Sequence, residues 1–178
     1  MIRLFAAIPL PSEICEGLVR RQQGLPGARW RPVEAFHITL RFFGEIAEPV
    51  AEDLDAELAA VGGPALTLNL EGVGSFQDGG DIRAVWAGVG ENEDLRRLAA
   101  RCESAARRAG LTPDRRPWRA HVTLAYLRGA EPARVAAWIQ GHNLMKSPPF
   151  RVTSFGLYSS WLGEAGSSYR LEREYPLG

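Results

Sequence analysis

Hydrophobic and polar positions along this chain fall into short blocks of two different periods. Arg3 to Ile8 reads as a buried strand, closed by Pro9. Pro11-Ser12-Glu13 then starts a helix running to about Gly24, with Ile14, Leu18 and Val19 on one stripe. Leu25-Pro26-Gly27 is a turn, and Phe36 to Phe43 is a strand ended by Gly44. Pro49 to Val61 is helical and is stopped by Gly62-Gly63-Pro64. From Leu66 to Leu70 the leucines take one face while Thr67 and Asn69 take the other, the period of a strand. Gly74 to Asp81 reads as a loop and Ala84 to Val89 as the next strand, together a long hairpin. Glu93 to Ala109 is a helix with Gly110 as its stop. His121 to Leu127 is a strand and Pro132 to Gln140 a short helix. Phe150 to Leu157 and Tyr169 to Tyr175 are the last strands, separated by Gly163 to Ser168. The mixed order, with hairpins, predicts an α+β fold rather than a doubly wound parallel sheet. No low-complexity linker divides residues 1–178, so one domain is expected.

Charge narrows the class of partner. Lys plus Arg is 21 and Asp plus Glu is 21, so the formal net charge is zero. A protein that coats long nucleic acid carries a basic excess. The balance here points to a small ligand or a strand end held locally. Only two cysteines are present, Cys15 and Cys102, too few for a disulfide scaffold or a Cys-rich zinc site. They read as buried thiols in a reducing compartment. The apolar start, Met1 to Pro11, is broken by Pro9 and Pro11 and is too short to span a membrane. A cytoplasmic protein with no membrane contact and no obligate protein partner is the expectation.

One short internal repeat carries the chemistry. Phe36-His37-Ile38-Thr39-Leu40 is echoed by Ala120-His121-Val122-Thr123-Leu124, and each copy follows a mixture of Trp, Arg and Pro (Trp30-Arg31-Pro32; Arg116-Pro117-Trp118-Arg119). Alternation along a strand puts His37 and Thr39 on one face and Ile38 and Leu40 on the other. The same holds for His121 and Thr123 against Val122 and Leu124. Each motif is thus a strand with an apolar face for a core and an imidazole-plus-hydroxyl face for something else. Two such strands facing each other make a cleft suited to phosphodiester hydrolysis. Imidazole serves as base or acid near neutral pH. Threonine hydroxyls donate to non-bridging oxygens. A strained cyclic phosphate needs no metal or other cofactor. A lone His-x-Thr would read as structural, but two of the three histidines occupy the same position of one pattern. A metal site built on these two histidines lacks a carboxylate or thiolate at ligand spacing.

At these residues the chain resembles the 2H phosphoesterase superfamily, defined by two His-x-Thr motifs. It is most similar to the bacterial RNA 2′,3′-cyclic phosphodiesterases, historically called 2′-5′ RNA ligases. The likeness extends over Arg3 to Leu10, Trp30 to Glu45, Pro113 to Leu124 and Phe155 to Ser160. It implies two similar lobes of antiparallel-rich sheets flanked by helices, related by a pseudo-two-fold axis, with the active site between them. It implies that His37 is the proton donor and His121 the proton acceptor, with Thr39 and Thr123 on the phosphate. The implied reaction opens an RNA 2′,3′-cyclic phosphate end to a 2′-phosphomonoester, with 2′-5′ ligation as its reverse. One departure stands out: the family commonly has Arg where this chain has Tyr126, and Arg128 is a candidate substitute.

Other residues are weaker. Arg41 shares a face with His37 and Thr39 if the strand is regular, and then contacts substrate or solvent. Arg107, Arg108, Arg115, Arg116 and Arg119 read first as a solvated helix end and loop, and second as contacts to RNA phosphates. Gly74 to Asp81 lacks the Gly-Lys-Ser/Thr of a phosphate loop and reads as a hairpin tip, with Phe76 a candidate to stack on a base. His142 reads as structural. Three alternatives stay open: another small cyclic phosphate, a 2′-5′-linked oligonucleotide, or a non-catalytic module binding nucleotides or RNA ends.

Overall fold

The computed structural model describes all residues, 1–178. Strand β1 (Ile2–Pro9) is followed by helix α1 (Ser12–Val19), the short strand β2 (Arg29–Trp30), strand β3 (His37–Ile46) and helix α2 (Glu48–Ala59). Then come β4 (Leu66–Leu68), the hairpin β5 (Leu70–Asp78) and β6 (Asp81–Val89), and helix α3 (Glu93–Arg108). The chain ends with β7 (His121–Tyr126), α4 (Pro132–His142), β8 (Phe150–Val152) and the hairpin β9 (Ser154–Gly163) and β10 (Gly166–Pro176). Two four-stranded sheets result, in the orders β10-β9-β1-β3 and β2-β7-β6-β5, and β4 pairs with β8 as a small third ribbon. Every pairing is antiparallel, and each large sheet holds one of the two repeated motifs. The α+β expectation therefore stands.

Helix α3 shows how local sequence and packing agree. Leu95, Leu98, Ala99, Cys102, Ala105 and Ala106 are buried at helical spacing, an apolar stripe that seats α3 on β3 and α2. The Asn92 side chain caps its start by accepting from the Leu95 N–H at 2.8 Å, worth about 1 kcal/mol. Glu93 and Asp94 sit in the first turn and Arg107 and Arg108 in the last, the charge order that the helix dipole favours. A single apolar cluster takes in residues of both sheets, Ile8 and Ile38 of one and Val85 and Val122 of the other, so the lobes share a core. Both cysteines are free and buried. No helix is long and apolar enough to cross a membrane.

Three readings need correction. The first helix ends at Val19 rather than near Gly24, since the apolar stripe that would seat it gives out after Leu18 and Val19 is already 42% exposed. Gly74 to Asp81 is not a loop: β5 runs on to Asp78, and Gly79 and Gly80, both at positive φ, make the two-residue turn. Gly74 belongs to that strand because Trp86 lies across it, and a Cβ there would come within 2.4 Å of the indole. The last correction concerns alternation. In β3 the pairing runs Phe5 to Phe42, Ala6 to Arg41 and Ala7 to Thr39, which leaves Leu40 without a partner. In β7 it runs Val85 to Ala125 and Trp86 to Thr123, which leaves Leu124 without one. Both motifs thus carry a bulge at the leucine that follows the threonine, and beyond it the two faces exchange.

Candidate active site

His37, Thr39, His121 and Thr123 line one small cavity of about 90 Å³, together with Arg31, Ala35, Phe42, Tyr126 and Tyr169. The opposite faces of the same strands are closed into the core, with Ile38, Leu40, Val122 and Leu124 all buried. The bulges decide what stands next to the motifs. A regular strand would have turned Arg41 and Ala125 toward the cavity. After the bulge it is Phe42 and Tyr126 that line it, while Ala125 is fully buried. Arg41 lies instead in the wall of the neighbouring groove. There it ion-pairs with Glu103 of α3 and donates to the Thr112 carbonyl oxygen at 2.8 Å. Arg128 is exposed and lies outside the cavity.

The two imidazoles sit in similar settings. The Nδ1–H of His121 donates to the Arg119 carbonyl oxygen, two residues earlier, at 2.7 Å. The Ala35 backbone, also two residues earlier, favours the charged form of His37. A proton fixed on Nδ1 leaves Nε2 of His121 as the atom available for proton transfer. Aromatic rings then brace each imidazole. Tyr169 meets His37 edge-on at 5.3 Å and Phe76 meets His121 edge-on at 4.8 Å. On the adjacent strands Phe5 lies 4.9 Å from His37 and Trp86 lies 6.2 Å from His121. Phe76 and Tyr169 each come from the strand of a long hairpin, so the two lobes solve the same problem with matching parts.

Electrostatics favour neutral imidazoles in this cavity. Burial pushes His37 down to about 4; the Ala35 backbone works against this, and the charges of Arg31 and His121 add to it. Burial also lowers His121, opposed by its bond to Arg119 and assisted by the Arg119 charge. Burial holds the Tyr126 phenol above its usual range, so that group is an uncharged hydroxyl donor at neutral pH. The cavity lining carries no carboxylate and no thiol beside its two histidines. No group of three or more His, Cys, Asp or Glu side chains suited to a metal occurs in the protein.

A wider groove of about 850 Å³ opens beside the cavity and shares Thr39, Phe42 and His121 with it. Its walls carry Phe76, Trp118, Arg96, Arg116 and Arg119. Trp118 donates through Nε1 to the Thr39 carbonyl oxygen at 3.1 Å, which ties the approach to the second motif onto the first. Of the basic run, Arg107, Arg108 and Arg116 are engaged with Glu103, Glu57 and Asp114. The Arg119 guanidinium lies 4.9 Å from the centre of the Trp86 ring. His142 is elsewhere, 4.9 Å from the Trp138 ring and beside Arg21. Sequence reasoning missed Arg31, Phe42 and Tyr169 as cavity residues. The Trp-Arg pairs ahead of each motif, Trp30-Arg31 and Trp118-Arg119, were the available signal for the first.

The model of the 2′-5′ RNA ligase superfamily matches residues 10–163. The RNA 2′,3′-cyclic phosphodiesterase of Escherichia coli is 34% identical over 171 residues, 94% of this chain and 92% of that one. The protein of the same name from Aeropyrum pernix is 40% identical over a shorter stretch of 98 residues, 54% of this chain and 56% of its own. Among solved structures, E. coli LigT complexed with 3′-AMP superposes with a TM-score of 0.82 at 26% identity, covering 99% of this chain and 98% of that one. Since the family match spans most of the chain and the fold agrees along nearly all of it, this two-lobed protein belongs to the 2′-5′ RNA ligase superfamily of 2H phosphoesterases.

Proposed function

We propose that this protein hydrolyses RNA 2′,3′-cyclic phosphate ends to 2′-phosphomonoesters, with His37 as proton donor and His121 as proton acceptor. The observation that carries the reading is the meeting of two imidazoles and two threonines at one small cavity. His121 takes a proton from water as the water oxygen attacks phosphorus. His37 gives a proton to the departing 3′ oxygen, and Thr39 and Thr123 donate to the non-bridging oxygens. One P–O bond forms and one breaks, and the net proton count is unchanged because one imidazole gains what the other loses. With an RNA 5′-hydroxyl in place of water as the attacking group, the same step, an O5′–P bond formed as the P–O3′ bond breaks, joins two ends through a 2′-5′ linkage. The adjoining groove supports a strand end as substrate: it leads from the cavity past Phe42, Phe76 and Trp118, aromatic surfaces of the kind on which unpaired bases stack. A relative of the same fold, E. coli LigT, has been crystallised with 3′-AMP and with phosphate.

The direct test is a short RNA ending in a 2′,3′-cyclic phosphate, incubated with the protein in EDTA, with the product phosphate position assigned by NMR. A 2′-phosphate formed at an unchanged rate in chelator is expected. Activity lost in EDTA and restored by a divalent ion would overturn the metal-free mechanism, and a 3′-phosphate product would reverse the assignment of the leaving oxygen.

The shifted imidazoles set a pH dependence. The reaction needs one imidazole protonated and one neutral, and kcat/KM reports the free protein. Both histidines of the free protein are lowered, His37 to about 4. The kcat/KM profile is therefore expected to peak on the acid side of the ordinary imidazole value and to fall as pH rises beyond it. A bound phosphodiester anion raises both imidazoles, so the kcat profile should lie at higher pH than that of kcat/KM. A kcat/KM that climbs steadily from pH 6.5 to 8 (about the range where free imidazole loses its proton) would contradict a protonated imidazole donor.

A further inference from the structure

Arg31 is the single guanidinium among the nine residues that line the catalytic cavity. It comes from neither motif. It follows β2, the two-residue strand that pairs Arg29 with Tyr126 and Trp30 with Ala125. Its backbone N–H donates to the Leu124 carbonyl oxygen at 2.8 Å, the carbonyl of the residue that bulges from β7. Gln22 of the segment after α1 fastens the same junction, donating to the Arg31 carbonyl oxygen at 2.8 Å and to that of Leu124 at 3.1 Å. The bulge that turns Tyr126 into the cavity is thus the feature that anchors Arg31 beside it.

The side chain is held as firmly. One terminal nitrogen donates to the Tyr169 hydroxyl at 2.9 Å, and the guanidinium carbon lies 5.2 Å from the centre of the Tyr126 ring. Tyr169 is the ring that stands edge-on to His37. A guanidinium has five donors in a planar fork suited to phosphate, and this one is partly buried with no carboxylate in the cavity to neutralise it. An unneutralised, pre-oriented cation in the wall of a small polar cavity is a site for an anion. Tyr126 occupies the position where the family resemblance places an arginine, and it cannot carry the charge.

Resting on the phosphodiesterase reading above, we propose that Arg31 is a further catalytic residue, the cation that clamps the phosphate's non-bridging oxygens from the residue after β2 in place of an arginine at position 126. Tyr126 and Tyr169 then serve as its cradle, one by its ring face and the other by its hydroxyl. The clamp adds positive charge where negative charge collects on phosphorus-bound oxygens, next to the two threonines. It also makes phosphate recognition depend on a segment between α1 and β3, outside both repeats.

The test uses inorganic phosphate as probe and needs no turnover, so it stands apart from the test of the phosphodiesterase reading. Phosphate is titrated into the full chain while the imidazole resonances of His37 and His121 are followed by NMR. Arg31→Gln, which keeps a donor for Tyr169 but removes the charge, is expected to weaken phosphate binding at least about tenfold with little change in thermal midpoint. Arg31→Met provides the same reading if the Gln variant does not fold. Adding Tyr126→Arg to either variant is expected to recover most of the lost affinity. Wild-type affinity in the charge-removing variants would overturn the clamp. So would a loss that Tyr126→Arg leaves unrepaired, since Arg31 would then act by positioning Tyr169. If the wild-type protein leaves the cyclic phosphate intact but shows the Arg31-dependent binding, the reaction is wrong and the anion site stands. Turnover that is indifferent to Arg31 removes the clamp alone.

Discussion

Alanine at His37 or at His121 is expected to lower kcat/KM on a cyclic-phosphate RNA end by about 10²–10⁴-fold each, the usual worth of a positioned acid or base. The double variant should be little worse than either single one. Both imidazoles belong to one proton-transfer event at one cavity, and groups acting as a unit give strongly non-additive losses. The fold should survive, because neither ring fills the apolar core: both are partly exposed, whereas the neighbours Ile38 and Val122 are 0% exposed. Single-turnover kinetics with a fluorescent RNA end and a thermal melt of each variant provide the check. Two losses that multiply would mean two independent sites, and a variant as active as wild type would remove that histidine from the reaction.

The paired motifs were legible because strand alternation is a strong constraint. Ile38, Leu40, Val122 and Leu124 had to be buried if His37, Thr39, His121 and Thr123 were to face outward together, and they are. Legibility ended at the leucine that follows each threonine. A bulge inserts one residue without changing the apolar pattern around it: Leu40 and Leu124 are buried whether or not they have a strand partner. So Arg41 read as a cavity residue, while Phe42 held that place. The two-residue strand β2 leaves no periodic trace at all, which is why Arg31 read only as part of a Trp, Arg and Pro mixture. The charges posed a related difficulty. The basic run before the second motif read first as a solvated helix end and loop and second as contacts to phosphate, and the partners of Arg107, Arg108 and Arg116 include Glu57, which lies 51 residues from Arg108 and on another helix. Local sequence shows a charge; only the fold shows whether it is already neutralised. The aromatic braces were hidden for the same reason, since Phe76 and Tyr169 reach the histidines through hairpins that cross between distant segments.

Replacing Thr39 or Thr123 by valine is expected to cost about 10²–10³-fold in kcat, the range found on removing one donor to a developing oxyanion. Valine keeps the volume, the β-branching and the strand preference of threonine, so the substitution removes little besides the hydroxyl. In β3 the backbone role of Thr39 is untouched, because Trp118 bonds its carbonyl oxygen rather than its side chain. In β7 Thr123 stays paired with Trp86. The loss should fall on kcat more than on KM. Attack of water gathers charge on the non-bridging oxygens, so a hydroxyl aimed at them is worth more in the transition state than in the bound substrate. Serine at either position separates the two parts of the side chain. It keeps the donor but loses the methyl group that restricts χ1, so its activity should fall between threonine and valine. Valine variants within about threefold of wild type in kcat would remove the hydroxyls from phosphate stabilisation, since one positioned donor to a developing oxyanion is worth far more than that. Serine variants as poor as valine would shift the role of threonine from its hydroxyl to the packing that holds each strand beside its histidine.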